Sequence, residues 1–191
     1  IAGCEETKLV MRDIGMYGFT NNYSFKQVME LNSQILELKI QGKHVFVEKP
    51  LTADVKQARE LVSLADEKGL TLLVDHTFVY SPAVNHVKEI VASGDLGDIY
   101  YISMSRLNLG LFQKEINVVW DLAPHDVSIL TYVLDAQPEA VSAQGNSNIL
   151  PGIEDVAMVT LYFPNNVIAY VHVSWLDPSK VRNSTFVGSK K

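Results

Sequence analysis

At 191 residues the chain has room for one domain or two small ones, and 47% hydrophobic with 20% charged residues is the mixture of a chain that folds around a core. A net charge of −6 argues weakly against binding to nucleic acid through phosphate neutralisation, and the single cysteine, Cys4, excludes an internal disulfide and leaves no cysteine cluster to hold a metal. No apolar run approaches the ~20 residues that span a bilayer, and the N-terminus lacks a basic stretch leading into an apolar one, so a cytoplasmic protein with no nucleic-acid, membrane or metal partner is expected.

Residues 1–23 show no sustained period. Phe25, Val28, Met29, Leu31, Ile35, Leu36, Leu38 and Ile40 recur at helical spacing, and Gly42 is a suitable stop. His44 to Val47 is a short β-rich run with nearly continuous apolar character, which predicts a strand buried on both faces, as in a parallel sheet. Thr52 is the expected cap of a helix over 53–68 that ends at Gly69, and Leu70 to Val74 reads as a second buried strand. Helix, strand, helix, strand is the alternation of a doubly wound sheet.

Beyond residue 75 the pattern changes. Ser81-Pro82 opens a helix that runs to Ser93-Gly94; Ile99 to Arg106 reads as a strand, 107–119 as a loop and 122–134 as a helix. Three β-like runs follow, at 139–147, 155–163 and 167–175, and the last two are joined by Pro164-Asn165-Asn166, a turn whose asparagines tolerate positive φ. A final run, Ser184 to Val187, stops at Gly188. Strands joined by short turns imply a mainly antiparallel sheet with helices on one side. The predicted class is α/β: a partial Rossmann-like parallel sheet over 1–76, then an α+β domain over 77–191.

Three segments carry chemistry. Glu48-Lys49-Pro50 ends the first predicted strand, where open α/β sheets bind ligands. A lysine there sets a positive charge beside an oxygen losing its proton; the plainer reading is a solvated lysine before a rigid proline. In Trp120-Asp121-Leu122-Ala123-Pro124-His125-Asp126, Asp121 reads as a helix N-cap with Pro124 in the first turn, and Asp121 and His125 share a helical face. The carboxylate favours the charged imidazole and the helix N-terminus the neutral one, a balance that suits a base near neutrality; the alternative is an ordinary cap and a satisfied histidine. In 167–175, Val167, Ala169, Val171, Val173 and Trp175 alternate with Ile168, Tyr170, His172 and Ser174, which is mainly a packing signal. His76 and Tyr80 open the second domain, where they contact a polar ligand or simply form a hinge.

The order of these segments resembles the Gfo/Idh/MocA family of nicotinamide-dependent sugar dehydrogenases. Gly42 to Leu51, with Glu48-Lys49-Pro50, is similar to that family's strand ending in Glu-Lys-Pro; Ser93 to Ile99 is similar to its turn into the substrate-domain sheet; Asp121 and His125 match its Asp-x-x-x-His motif. The resemblance covers 35–191. The wording around Ser105 to Gly110, Trp120 to Ile129 and His172 to Pro178 most resembles a branch acting on nucleotide sugars, with UDP-N-acetylglucosamine 3-dehydrogenase-like members nearest.

The resemblance implies an NAD- or NADP-dependent oxidation of a sugar ring hydroxyl, with His125 as base, Lys49 polarising the oxygen and Asp121 orienting the imidazole. It implies Glu48, Lys49 and Pro50 at the cofactor, and His76, Tyr80, Arg106 and Trp120 at the substrate. It also implies a homo-oligomer formed through the antiparallel sheet. The family begins with a strand, a Gly-x-Gly-x-x-Gly turn and a helix; residues 1–42 contain no such run, and Gly15 and Gly18 are wrongly spaced for it. The chain therefore reads as trimmed at both ends, and a non-catalytic sugar-binding or oligomerisation module of the same family is the alternative.

Overall fold

The computed structural model describes residues 41–190 apart from 53, 111 and 115. The helix expected over 25–40, with Gly15 and Gly18, lies outside the described residues. The chain divides into two units, Ile1–Asp75 and His76–Lys191.

In the first unit, β1 (Val45–Glu48) pairs in parallel with β2 (Leu72–Asp75). Helix α1 (Val55–Glu67) connects them, the right length for a crossover between parallel strands. Its cap is Asp54, not Thr52: the Asp54 carboxylate accepts the Lys56 N–H at 2.7 Å and the Gln57 N–H at 3.2 Å. Thr52 instead donates its hydroxyl to the Asp54 carbonyl at 2.7 Å, which tightens the turn before the helix. A carboxylate at the cap also meets the positive end of the helix dipole. Gly69 follows the helix at φ 62°, a conformation that side chains disfavour. Val45, Val47 and Leu61 form the buried cluster. The expected burial of β1 on both faces is not realised among the described residues, since Phe46 is half-buried and Leu73, its partner on β2, is exposed.

The second unit opens with a 3-10 turn, Thr77–Tyr80, and helix α2 (Pro82–Ala92), which carries Pro82 where no N–H is needed. Strand β3 (Ile99–Leu107) leads to α3 (Val118–Leu134), then to β4 (Ala140–Asn146), β5 (Val156–Tyr162), β6 (Ile168–Ser174) and β7 (Val181–Gly188). Pro164–Asn166 turns β5 into β6, with Asn165 and Asn166 at φ 61° and 60° as the sequence suggests. The five strands lie in the order β4-β5-β6-β3-β7. All pairs are antiparallel except β3 with β6, a parallel pair made by the long excursion through α3, β4 and β5. At the sheet's end Gly188 passes so close to Leu96 that an added Cβ would collide with the Leu96 carbonyl oxygen.

The core lies between the sheet and α3. Ile102, Met104, Ala157, Val159, Leu161, Ala169, Val171 and Val173 face inward against Val118, Ala123, Ile129, Leu130 and Val133. The opposite face leaves Tyr101, Met158, Tyr162 and Tyr170 exposed. No helix among the described residues is long and apolar enough to cross a membrane.

Helix α3 begins four residues before the predicted start. Asn117 caps it, accepting the Trp120 N–H at 3.0 Å, and the Asn117 amide donates to Glu154 at 2.8 Å. Asp121 is therefore inside the helix, and so is Pro124. A proline there gives the Trp120 carbonyl no N–H to accept one turn on, so this helix rests on tertiary support more than on its own ladder.

Candidate active site

In the first unit the carboxyl ends of the parallel strands bring Glu48, Lys49 and Pro50 beside Asp75, where doubly wound sheets hold nucleotides. The Lys49–Pro50 peptide is cis. Glu48 and Asp75 are direct cross-strand partners. Partial burial and the neighbouring Asp75 carboxyl together hold Glu48 above the usual carboxylate range, against the weaker pull of Lys49.

In the second unit α3 presents Asp121 and His125 one turn apart on one face. The Trp175 indole N–H donates to the Asp121 carboxylate at 3.1 Å, which ties the helix to the end of β6. The His125 ring packs edge-on with Phe78 of the 3-10 turn, with centroids 5.0 Å apart and planes at 78°. Its Nδ1 atom is buried. The corrected helix start places His125 about two turns in, beyond the first turn where the dipole acts, so the expected pull toward a neutral ring is weaker than the sequence suggests.

Arg106 and Asp126 form the buried centre of this arrangement. Arg106 Nε and Nη2 donate to the two Asp126 oxygens at 3.1 and 2.7 Å, with side chains 8% and 4% exposed. The guanidinium also lies 4.6 Å from the Phe78 centroid. Arg106, expected at the substrate, is thus committed to fixing α3 on β3 and backing the ring that touches His125. Trp120 is half-buried and its indole N–H is enclosed without an acceptor among the described residues. His76 caps the 3-10 turn, where its carbonyl accepts the Val79 N–H at 3.0 Å, and Tyr80 is 64% exposed at the end of that turn. His172 lies on the outward face of β6, away from Trp175.

Neither Asp126 nor Phe78 stands out in the sequence. One signal was available: Arg106 follows Ile102 and Met104 at alternate positions on an inward face, so a buried counter-charge was required.

Two family profiles match the chain: one described as the GFO/IDH/MocA C-terminal domain over residues 84–191, and one described as an oxidoreductase family with an NAD-binding Rossmann fold over residues 26–76. The chain belongs to the Gfo/Idh/MocA family. It is 31% identical over 143 residues to 1,5-anhydro-D-fructose reductase of Ensifer adhaerens, covering 69% of this chain and 43% of that protein. It is 27% identical over 136 residues to UDP-N-acetylglucosamine 3-dehydrogenase of Acidithiobacillus ferrooxidans, covering 70% of this chain and 41% of that protein. Its fold matches the crystal structure of GenD2 from gentamicin A biosynthesis in complex with NAD, at a TM-score of 0.77 and 24% identity over 84% of this chain and 50% of that one. The chain thus spans about two-fifths of the length of these curated relatives.

Proposed function

We propose that this chain carries the catalytic groups of an NAD- or NADP-dependent dehydrogenase that oxidises a ring hydroxyl of a sugar or nucleotide sugar. The observation that carries the reading is the Asp121–His125 pair, one turn apart on a helix whose position is fixed from beneath by the Arg106–Asp126 ion pair. His125 takes the hydroxyl proton. Asp121 holds the helix face and favours the imidazolium that forms, and Lys49 stabilises the oxygen as its charge grows. The carbinol C–H and O–H bonds break, the carbonyl forms, and the nicotinamide, when bound, supplies the hydride acceptor. The carboxyl end of β1 and β2 suits that ring, because it sets the Lys49 cation beside Glu48, whose partial burial and Asp75 neighbour raise its pKa. His76, Tyr80 and Trp120 are the proposed substrate contacts, with Glu48 and Pro50 beside Lys49 at the cofactor. Self-association through the tyrosine-bearing face of the sheet completes the proposal.

The test is nicotinamide reduction at 340 nm with UDP-N-acetylglucosamine, alongside calorimetric titration of NAD. His125→Ala and Lys49→Ala should each lower turnover by about 100-fold or more, in variants that still unfold cooperatively. Absence of both NAD binding and turnover in the parent chain would overturn the enzyme reading. It would support the second one, a sugar-binding module without turnover.

A further inference from the structure

Arg106 and Arg182 sit directly opposite each other in the antiparallel pair of β3 and β7, so their side chains leave the same face of the sheet. Like charges in that relation destabilise a sheet unless each is met. Asp126 meets Arg106 with two hydrogen bonds. Arg182 is exposed, and no carboxylate among the described residues pairs with it. Its guanidinium instead lies 6.0 Å from the centroid of Phe78, the ring that contacts His125 on one side and Arg106 on another. Helix α3 does not cover this part of β7: Arg182 and Ser184 are exposed on the inward face, while Phe186 packs into the core further along. Among the described residues, Arg182 is thus a cation with no carboxylate partner, one aromatic ring away from the proposed base.

We propose that Arg182 is an anion anchor of the active site and selects substrates that carry a negative group, a phosphate or a carboxylate, attached to the sugar. The inference rests on the dehydrogenase reading for the identity of the sugar, but the anchor itself is a binding property. A guanidinium gripping a substrate anion with charge-assisted hydrogen bonds fixes the sugar relative to His125 without touching the reacting carbon. Arg106 is a poor substitute, because it is buried and its charge is already met by Asp126.

The experiment is calorimetric titration at fixed ionic strength of the parent chain, Arg182→Gln, Arg182→Lys and His125→Ala. The probes are UDP, glucuronate and neutral N-acetylglucosamine. Arg182→Gln should weaken an anionic probe by about tenfold to a hundredfold and leave the neutral sugar unchanged. Arg182→Lys should retain part of that affinity, and His125→Ala nearly all of it. Loss confined to UDP identifies a diphosphate as the anchored group, and loss confined to glucuronate identifies a sugar carboxylate. Arg182→Gln should also melt higher than the parent, because the opposed charge is gone. Equal anion binding by parent and Arg182→Gln, or no anion binding by the parent, overturns the proposal. A chain with neither NAD binding nor turnover whose anion binding still depends on Arg182 refutes the dehydrogenase reading and leaves the anchor standing.

Discussion

The two units treat their carboxylates in opposite ways. In the second unit Asp155 is 1% exposed, yet its carboxyl lies below the usual range. Burial alone would push it up. The Asn148 amide at 2.8 Å and the Ile149 and Asn148 backbone N–H groups at 2.8 and 2.7 Å outweigh that push. Asp126 is likewise saturated, by two donors of Arg106. In the first unit partial burial, and then the facing Asp75 carboxyl, push Glu48 upward, with no comparable set of donors to outweigh them. Acids that hold the fold together are surrounded by donors, whereas the acid at the mouth of the parallel strands is placed where its charge is unwelcome. That is the pattern expected where a site, rather than stability, sets the arrangement.

Three substitutions sharpen this contrast. The largest effect belongs to Asp126→Ala, which leaves the Arg106 guanidinium buried and unmatched; a loss of about 3–5 kcal/mol in urea unfolding is expected, and a shift below about 1 kcal/mol would show that the pair is solvated. Asp155→Asn keeps an acceptor for the backbone N–H groups but sets its amide NH2 against the Asn148 amide NH2, for a loss of about 1–3 kcal/mol. Because the folded pKa of Asp155 is depressed, its contribution is complete above the unfolded carboxylate range and fades as pH falls through the folded value. The difference between parent and Asp155→Asn should therefore shrink on acidification. Glu48→Gln gives the smallest effect, of opposite sign. A raised folded pKa means that stability present at low pH is lost as pH rises through that value, so Glu48→Gln should match or exceed the parent at neutral pH and converge with it in acid. Urea midpoints at acid and neutral pH decide both comparisons.

Much of the fold was legible locally. Alternation located β6, Pro82 marked the start of α2, and Asn165 and Asn166 announced the positive φ of their turn. The misplaced caps share one cause: both Thr52 and Asp121 are good cap residues near a better-placed neighbour, and only three-dimensional partners choose between them. Asn117 wins at α3 because Glu154, from the far end of the β4–β5 connection, receives its amide and accepts the Val118 N–H at 2.9 Å through its carbonyl. Of the site, Asp121 and His125 could be read from their spacing, since four residues on a helix always share a face. Phe78, Asp126 and Arg182 could not, because what matters about each is a neighbour distant in the chain. The parallel pairing of β3 with β6 was invisible for the same reason.

That pairing has a consequence for how the second unit reaches its native state. Strand β3 ends at Leu107, but its two neighbours begin only at Ile168 and Val181. Emerging from the ribosome, β3 has no sheet partner until nearly all of the unit has been synthesised, while the β4–β5 and β5–β6 hairpins can zip together without it. Closure of the sheet is then a late, non-local event, and it is the event that brings Arg106 and Arg182 opposite each other on neighbouring strands. The half-made unit presents β3 with both edges open during this interval, when capture by a chaperone or by a sister chain competes with folding.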